Sequence, residues 1–362
     1  MSDMQNDGIV HGALDYGELA RLGLQPSEIL DFSVNSNPFG PSPCVREAIA
    51  DVTIDRYPDR ACLKLRQAIL DYEMTGARLA LAALICGNGT SELIWSVARA
   101  YLKPGARTLI IGPTFGEYRA ASLTVGAIVS DARAREAADF QPDCGAFCAQ
   151  IRYEQPTLVW LCNPNNPTGA WLEQQSIEQI THACQCAGAL LVIDESYWHF
   201  VLPQERYSAI GLTQTDGLLV LRSLTKDFAL AGLRLGYAVG TPAIIERLNA
   251  QLPSWNVSGV AQEAGIAALS DRAHLKSTLK MLADERQAFF DALRADGWHV
   301  VPSRTHFCLI EVGNSQNVRR QLLQRKILVR DCTSFGLPTY LRVATRQRSE
   351  WQQLVQALRE VR

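Results

Sequence analysis

The sequence predicts an α/β fold: a large domain with a mostly parallel, doubly wound sheet, and a smaller α+β domain. Short apolar runs with the length and composition of buried strands occur near residues 109–111, 158–162, 190–194 and 218–221. Helical patterns separate these runs, as in 176–187, which Gly188 ends. Strands that alternate with helices in this way form largely parallel sheets.

The last third of the chain has a different pattern, which predicts the smaller domain. A long helical pattern covers about 273–295 and a shorter one covers 316–325, whereas strand patterns occur near 307–312, 327–330 and 340–344. Helices and strands that do not alternate regularly are typical of an α+β arrangement.

Composition excludes several classes of protein. The 362 residues are 47% hydrophobic and 20% charged, which predicts a soluble globular protein with a sizeable core. The net charge of −2 gives no electrostatic basis for binding nucleic acid or an anionic membrane. No apolar run approaches the roughly 20 residues of a membrane helix, and the polar start, Met1 to Asp7, is unlike a secretory signal. We expect neither a nucleic-acid nor a membrane partner.

The ten cysteines do not have the spacing of a metal site. Their close pairs are Cys144 with Cys148 and Cys184 with Cys186, and neither has the matching second pair that zinc requires. We therefore expect no metal, and reduced, mostly buried thiols in a cytoplasmic protein.

The most informative stretch follows the apolar run 218–221. Ser223, Thr225 and Lys226 come at the expected strand end, and Arg234 follows eight residues after the lysine. Two hydroxyls and a guanidinium can bind a phosphate, and a lysine held beside it can form a Schiff base with an aldehyde. The stretch therefore predicts a ligand that carries both groups.

A second motif predicts the other half of the phosphate site. Gly87-Asn88-Gly89-Thr90-Ser91 opens the helical pattern 93–101. Free backbone N–H groups and hydroxyls at a helix start bind phosphate, so Gly89, Thr90 and Ser91 should complete the site that Ser223 and Arg234 begin.

Two further motifs lie between these stretches. An Asn-Pro-Asn-Asn-Pro-Thr-Gly turn covers 163–169, and the strand 190–194 ends at Asp194, shortly before Tyr197. In this order the motifs resemble those of the fold-type-I pyridoxal phosphate enzymes of the class I/II aminotransferase family, in the branch of histidinol-phosphate aminotransferases and threonine-phosphate decarboxylases. The resemblance covers nearly all of the chain and implies pyridoxal 5'-phosphate as cofactor and an amino acid as substrate.

The resemblance implies roles for side chains near the carboxyl ends of the predicted strands, where ligands of such sheets gather. Lys226 would hold the aldehyde and move the substrate proton, and Asp194 would pair with the pyridine nitrogen. Asn166 and Tyr197 would bind the 3-hydroxyl, and Phe115 would stack on the ring. The implied catalytic residues are Lys226, Asp194 and Tyr197. The full set of implied cofactor-binding residues is Tyr57, Gly89, Thr90, Ser91, Phe115, Asn166, Asp194, Tyr197, Ser223, Thr225, Lys226 and Arg234.

The resemblance also implies a homodimer with shared active sites, because the family's tyrosine at position 57 reaches the neighbouring subunit's cofactor phosphate. It implies an N-terminal arm, 1–45, that joins the small domain, a large cofactor-binding domain, 46–245, and a small C-terminal domain, 246–362. Pro38, Pro41 and Pro43 argue against helix in the extended part of the arm.

The substrate site is expected on the arm and on two late strands. His11 with Gly12, Asn35 and Asn166 match family substrate positions. Arg330 and Arg342 lie twelve residues apart on strands that can pair, so they can present two guanidinium groups to one pocket. One can bind a carboxylate and the other a second anion.

Three reactions remain open, because the cofactor cleaves whichever α-bond the pocket holds perpendicular to the ring. Leu30-Asp31-Phe32-Ser33 and Arg330-Asp331-Cys332 resemble the threonine-phosphate decarboxylases, which is the preferred interpretation. Ala231, where that branch often has proline, resembles the aminotransferases of histidinol-phosphate type. Asp15 and Glu18 leave a third alternative, a β- or γ-elimination lyase or a cyclase acting on a cationic, arginine-like amino acid.

Overall fold

The computed structural model describes residues 12–73 and 79–362. Its α-helices are α1 Tyr16–Leu22, α2 Pro43–Ala50, α3 Leu63–Glu73, α4 Gly89–Tyr101, α5 Glu117–Thr124, α6 Cys144–Glu154, α7 Gln174–Cys186, α8 Pro242–Asn249, α9 Gly259–Ser270, α10 Arg272–Ala295, α11 Ser315–Gln324 and α12 Arg348–Glu360. Its strands are β1 Leu30–Asp31, β2 Leu84–Gly87, β3 Arg107–Gly112, β4 Ile128–Arg133, β5 Leu158–Cys162, β6 Leu190–Asp194, β7 Leu218–Ser223, β8 Gly236–Gly240, β9 Phe307–Glu311, β10 Ile327–Leu328, β11 Arg330–Asp331 and β12 Tyr340–Ala344.

A seven-stranded sheet in the order β2-β8-β7-β6-β5-β3-β4 forms the centre of the fold. β8 is antiparallel to both of its neighbours, and the other paired strands are parallel. The expected α/β class and mostly parallel sheet are therefore confirmed. The parallel strands β5, β6 and β7 end at the same edge, which brings Asp194 and the residues after Ser223 together.

Alternate side chains of each central strand enter two different cores. In β6, Leu191 and Ile193 join the core on one face, whereas Leu190 and Val192 join the core on the other. A strand covered on both faces needs apolar residues throughout, which explains the uninterrupted apolar runs of the sequence.

A three-stranded antiparallel sheet, β11-β12-β9, forms the second core with α10, α11 and α12. β1 pairs in parallel with β10, and Phe32 is buried in this second core. The arm therefore packs on the C-terminal part of the chain.

The first core extends beyond the expected domain boundary at residue 245. Ala261, Ala264 and Leu275 of α9 and α10 belong to the core of the seven-stranded sheet, whereas Phe289 belongs to the second core. The change from one core to the other therefore occurs within α10.

No helix of the described residues is both long enough and apolar enough to cross a lipid bilayer.

Candidate active site

A cavity of about 350 Å³ lies at the carboxyl ends of β5, β6 and β7. This active-site cavity is lined by Lys226, which follows β7, and by Asp194, the last residue of β6. Burial, together with the positive charges of Arg342 and Arg234, lowers the pKa of Lys226 to about 8. A lysine that loses its proton this readily is suited to act as a nucleophile and as a base.

One end of the cavity has the features of a phosphate site. Thr90, Ser91, Thr225 and Arg234 line it, and Thr90 and Ser91 belong to the first turn of α4. Their free N–H groups and hydroxyls, with the guanidinium, form the donor set that a phosphate requires.

Two glycines allow this end to assemble. Gly89 has φ +75°, and a Cβ there would lie 2.8 Å from Nη2 of Arg234. A Cβ on Gly236 would lie 2.9 Å from the backbone nitrogen of Thr90. At Gly236 neighbouring backbone leaves no room for a side chain, and at Gly89 the positive φ and the Arg234 guanidinium both favour glycine.

Ser223 lies behind the cavity rather than on its wall. Its Oγ is 2.7 Å from Oγ1 of Thr225 and accepts the Thr225 backbone N–H at 3.2 Å. Ser223 therefore orients Thr225, which lines the cavity.

A fixed carboxylate, that of Asp194, also lines the cavity. Oδ1 of Asp194 accepts the backbone N–H of Ser196 at 2.9 Å and its hydroxyl at 2.5 Å, and Oδ2 accepts the Tyr118 hydroxyl at 2.7 Å. Burial raises the pKa of Asp194, and these hydrogen bonds oppose that rise. The carboxylate is thus oriented to accept a protonated ring nitrogen.

Three of the expected cofactor contacts surround the middle of the cavity. Phe115, Asn166 and Tyr197 all line it. The Tyr197 hydroxyl accepts a hydrogen bond from Nδ2 of Asn35 at 3.4 Å, and burial raises the tyrosine pKa to about 12. Oδ1 of Asn35 is buried without a partner, so the cavity retains an unused acceptor.

Arg342 enters the same cavity from the small sheet. Its Nη1 donates to Oδ1 of Asn166, and its Nη2 donates to the backbone oxygen of Ser33 at 2.5 Å. Nε is buried without a partner, and burial lowers the pKa of the guanidinium. Arg342 is therefore held in place and retains an unused donor.

Arg330 is the direct cross-strand neighbour of Arg342 in the β11–β12 ladder. It donates to Oγ of Ser334 at 2.7 Å and lies over the Phe335 ring. Burial, and next the Arg342 charge, lower its pKa to about 10. The charge of Arg342 thus acts against that of Arg330, and a substrate anion bound near both would reduce this repulsion.

Arg330 lines a second cavity of about 190 Å³. Gly12, Ala13 and Ser33 line both this adjoining cavity and the active-site cavity. The two expected substrate arginines therefore line two spaces that meet at one short piece of the arm. A Cβ on Gly12 would lie 2.4 Å from the Ser33 oxygen, so the arm can approach this closely only with glycine there.

Two expected residues need separate mention. His11 lies outside the described residues. Tyr57 is 81% exposed and stacks on Trp255, with ring centroids 4.7 Å apart, so it has no contact with the active-site cavity of its own chain.

The sequence reasoning missed Tyr118, Ser196 and Ser33. Ser196 follows Asp194 by two residues, the spacing at which a serine commonly bonds back to a carboxylate, so that signal was available. Tyr118 meets Asp194 only through the fold, 76 residues away in the chain.

These residues fit pyridoxal phosphate: the two glycines leave room beside the phosphate donors, and Lys226 and the fixed carboxylate of Asp194 line the same cavity. The fold and the site thus define a fold-type-I pyridoxal phosphate enzyme. The family model of class I and II aminotransferases matches residues 27–358, so the chain belongs to that family.

Similar proteins support the same class. The chain is 35% identical over 350 residues to histidinol-phosphate aminotransferase 1 of Thiobacillus denitrificans, covering 95% of this chain and 88% of that protein. It is 36% identical over 349 residues to the threonine-phosphate decarboxylase of Salmonella typhimurium, covering 94% and 93%. The crystal structure of histidinol-phosphate aminotransferase from Sinorhizobium meliloti in complex with pyridoxal 5'-phosphate superposes with a TM-score of 0.86 at 25% identity, covering 96% and 95%. The expected family, cofactor and enzyme class are confirmed.

Proposed function

We propose that the chain is an aminotransferase of the histidinol-phosphate type, which moves an amino group between a phosphorylated amino compound and a 2-oxo acid. The observation that carries the substrate class is the pair of adjoining cavities, with Lys226 and Asp194 in one and Arg330 on the wall of the other. The similarity to several histidinol-phosphate aminotransferases over more than nine tenths of the chain favours this reaction over the decarboxylation preferred from sequence.

Bound pyridoxal phosphate supplies an electron-accepting ring beside the substrate's α-carbon. Asp194 would pair with the ring nitrogen, and Tyr118 and Ser196 hold its carboxylate in position. Lys226, with its lowered pKa, would take the proton of the substrate's α-carbon on its Nζ. Thr90, Thr225 and Arg234 would hold the phosphate of the cofactor.

The two arginines bind the anionic groups of the substrates. Arg342 reaches the active-site cavity and binds the group nearer the reacting carbon, whereas Arg330 binds the more distant anion. A phosphorylated amine and a dicarboxylic 2-oxo acid both carry an anion at a distance from the reacting carbon, so one pair of arginines serves both half-reactions.

Threonine-phosphate decarboxylation is the second candidate. It is favoured by the Salmonella typhimurium relative, which has the highest identity of the proteins compared above. Its substrate carries a carboxylate and a phosphate, which the same two arginines can bind. The two candidates differ in the bond that is broken, and the residues named here serve both.

The third alternative, a lyase or cyclase for a cationic amino acid, has no support from the acidic residues that suggested it. Asp15 caps α1 by accepting the Glu18 backbone N–H at 3.0 Å. Glu18 forms a two-point ion pair with Arg319, at 2.8 and 2.6 Å. Neither carboxylate lines the active-site cavity, so we do not extend the proposal to that substrate class.

One pair of assays separates the candidates. The holoenzyme is given histidinol phosphate with 2-oxoglutarate, and glutamate is measured; it is then given O-phosphothreonine, and carbon dioxide is measured. We expect glutamate to form in the first assay. Carbon dioxide release without glutamate formation would replace the aminotransferase by the decarboxylase, and absence of both products would overturn both.

We also propose a homodimer in which Tyr57 reaches the partner's active site. Tyr57 and Trp255 stack on each other as exposed aromatic side chains, and Ile54, three residues before Tyr57, is also exposed, which supports a contact with a second copy. The two cores support a division into an arm, a large domain and a small domain, with the last boundary in α10.

The ten free cysteines, most of them buried, support a cytoplasmic location.

A further inference from the structure

A cavity of about 470 Å³ lies between α10 and the segment 198–206. None of the described residues that line this α10 cavity lines the active-site cavity. Phe200, Leu275, Leu279 and Leu282 form apolar walls. Its volume lies within the range of small-molecule sites, about 300–1,000 Å³.

His306 on the wall of the α10 cavity is a buried polar group. The side chain is 2% exposed, and neither ring nitrogen makes a hydrogen bond of normal geometry, although the Asn35 backbone interacts with the ring. Burial, and then the charges of Arg342 and Lys226, lower its pKa to about 3. The ring is therefore neutral near pH 7, and its other nitrogen can form a hydrogen bond with a ligand.

The rim and walls of the α10 cavity are strongly cationic. Five cations line it together with a single carboxylate, Asp284; the cations are Arg206, Arg272, Lys276, Lys280 and Arg286. Lys276 and Lys280 are exposed on successive turns of α10, on the side that faces the cavity.

The three arginines are bonded to neutral groups. Arg206 donates to the backbone oxygens of Val201 and His199, Arg272 to that of Asp71, and Arg286 to that of Arg304. Within the described residues, none of the three forms a direct salt bridge with a carboxylate. The charge of Asp227 acts on Arg206 and that of Glu205 acts on Arg286, so these two guanidinium groups are offset in part.

Nearby acids are already paired with other groups. Asp227 is hydrogen-bonded to Nδ1 of His199, and Glu205 accepts Arg304 at 3.0 Å. Tyr72 on the wall is hydrogen-bonded to Nε2 of the same histidine at 2.8 Å. The cavity thus combines apolar walls, a buried neutral imidazole and an excess of positive charge.

We propose that the α10 cavity is a second binding site, which takes a small organic anion with an apolar or aromatic body. The leucines and Phe200 contact the body, His306 hydrogen-bonds its polar edge, and the lysines and arginines at the rim bind the acidic group. The site is separate from the proposed reaction and does not depend on which α-bond is broken.

The test uses the holoenzyme and three probes that differ in charge. Indole-3-acetate, the neutral indole-3-acetamide and the cationic tryptamine are titrated by calorimetry at low ionic strength. We expect the acetate to bind and the other two to bind at least about tenfold more weakly, because the rim attracts only the anion. Equal affinities for the acetate and the amide would overturn the proposal, as would the absence of acetate binding at millimolar concentration.

Three variants locate the bound probe. Lys280→Glu should weaken acetate binding about tenfold, and Leu279→Trp should abolish it by filling the cavity. Lys103→Glu, the same charge reversal at an exposed lysine at the end of α4, should leave it unchanged. Because Lys280 is exposed, its variant tests the site even if Leu279→Trp does not fold.

The active site is a second place where a carboxylate can bind. Acetate binding that survives Arg342→Gln and is lost in Lys280→Glu assigns the probe to the α10 cavity. Binding that is lost in Arg342→Gln and unchanged in Lys280→Glu assigns it to the active site and overturns the proposal.

Discussion

Burial and two neighbouring guanidinium groups, those of Arg342 and Arg234, lower the pKa of Lys226 to about 8. Only the neutral amine attacks an aldehyde, and its fraction grows as the pH rises towards this pKa. After removal of the cofactor, the rate constant for reattachment of pyridoxal phosphate should therefore rise about tenfold per pH unit below pH 8 and level off above it. Stopped-flow absorbance of the mixed components measures this rate.

The control for the lysine is Arg342→Gln. It removes the guanidinium that lowers the pKa of Lys226 more than Arg234 does, so the pH at which the rate constant levels off should rise. A break near pH 10.5 in the unaltered protein would contradict the lowered pKa.

The negative charge of Asp194 can be tested separately from the hydrogen bonds that hold its carboxylate. Asp194→Asn keeps the shape of the side chain but removes the charge that maintains a protonated ring nitrogen. We expect turnover to fall by several orders of magnitude. Ser196→Ala, which removes one hydrogen bond and leaves the charge, should cost about tenfold or less. Steady-state rates at saturating substrate distinguish the two; a loss below about tenfold in Asp194→Asn would show that the ring lies elsewhere.

At the scale of elements, the β11–β12 ladder places Arg330 opposite Arg342. Arg330→Met should lower kcat/KM by about 30- to 1,000-fold, or roughly 2–4 kcal/mol, because one anionic group of the substrate loses its partner. Lys326→Met, which removes one positive charge from an exposed ion pair with Glu28, is the matched control and should change kcat/KM less than twofold. Equal effects of the two changes would remove Arg330 from the substrate site.

Some elements could be predicted from sequence and others could not. The buried strands of the large sheet follow their apolar runs closely, because a strand covered on both faces has no polar positions. The run 327–330 was predicted as one strand but forms two, since β10 pairs with β1 and β11 pairs with β12. Pro43 is predicted to lie outside a helix, but it is the first residue of α2. Proline is tolerated there because the N–H that it lacks would form no hydrogen bond within the helix.

At the scale of the whole molecule, Tyr57 and Trp255 lie on the surface and outside the active-site cavity. If Tyr57 contributes to the partner's site, Lys226→Ala and Tyr57→Phe proteins damage different halves of a shared site. Mixing the two inactive proteins should then restore up to about one quarter of the normal activity, from heterodimers with one intact site. Activity after subunit exchange measures this restoration, and a fully active monomer in gel filtration would contradict it outright.

The type of reaction cannot be predicted from the sequence motifs. Lys226, Asp194 and Arg342 follow recognisable motifs because their chemistry requires particular residue types. The choice between transamination and decarboxylation depends on which α-bond the pocket holds perpendicular to the ring. That orientation arises from contacts that form only in the folded protein. Examples are the contact of Asn35 with Tyr197, 162 residues away in the chain, and that of Ser33 with Arg342, 309 residues away.

The close approach of Gly89 and Gly236 to the phosphate site has a consequence for the tolerance of the gene to mutation. In a saturation library selected for activity, every missense codon at position 236 introduces a Cβ within 3 Å of the Thr90 nitrogen. Selection should therefore remove every amino acid except glycine at this position. The codon for Gly232, only four positions upstream, should accept alanine and serine, because nothing lies within 4 Å of an added Cβ there. Two glycines only four positions apart should thus differ in the substitutions that they tolerate.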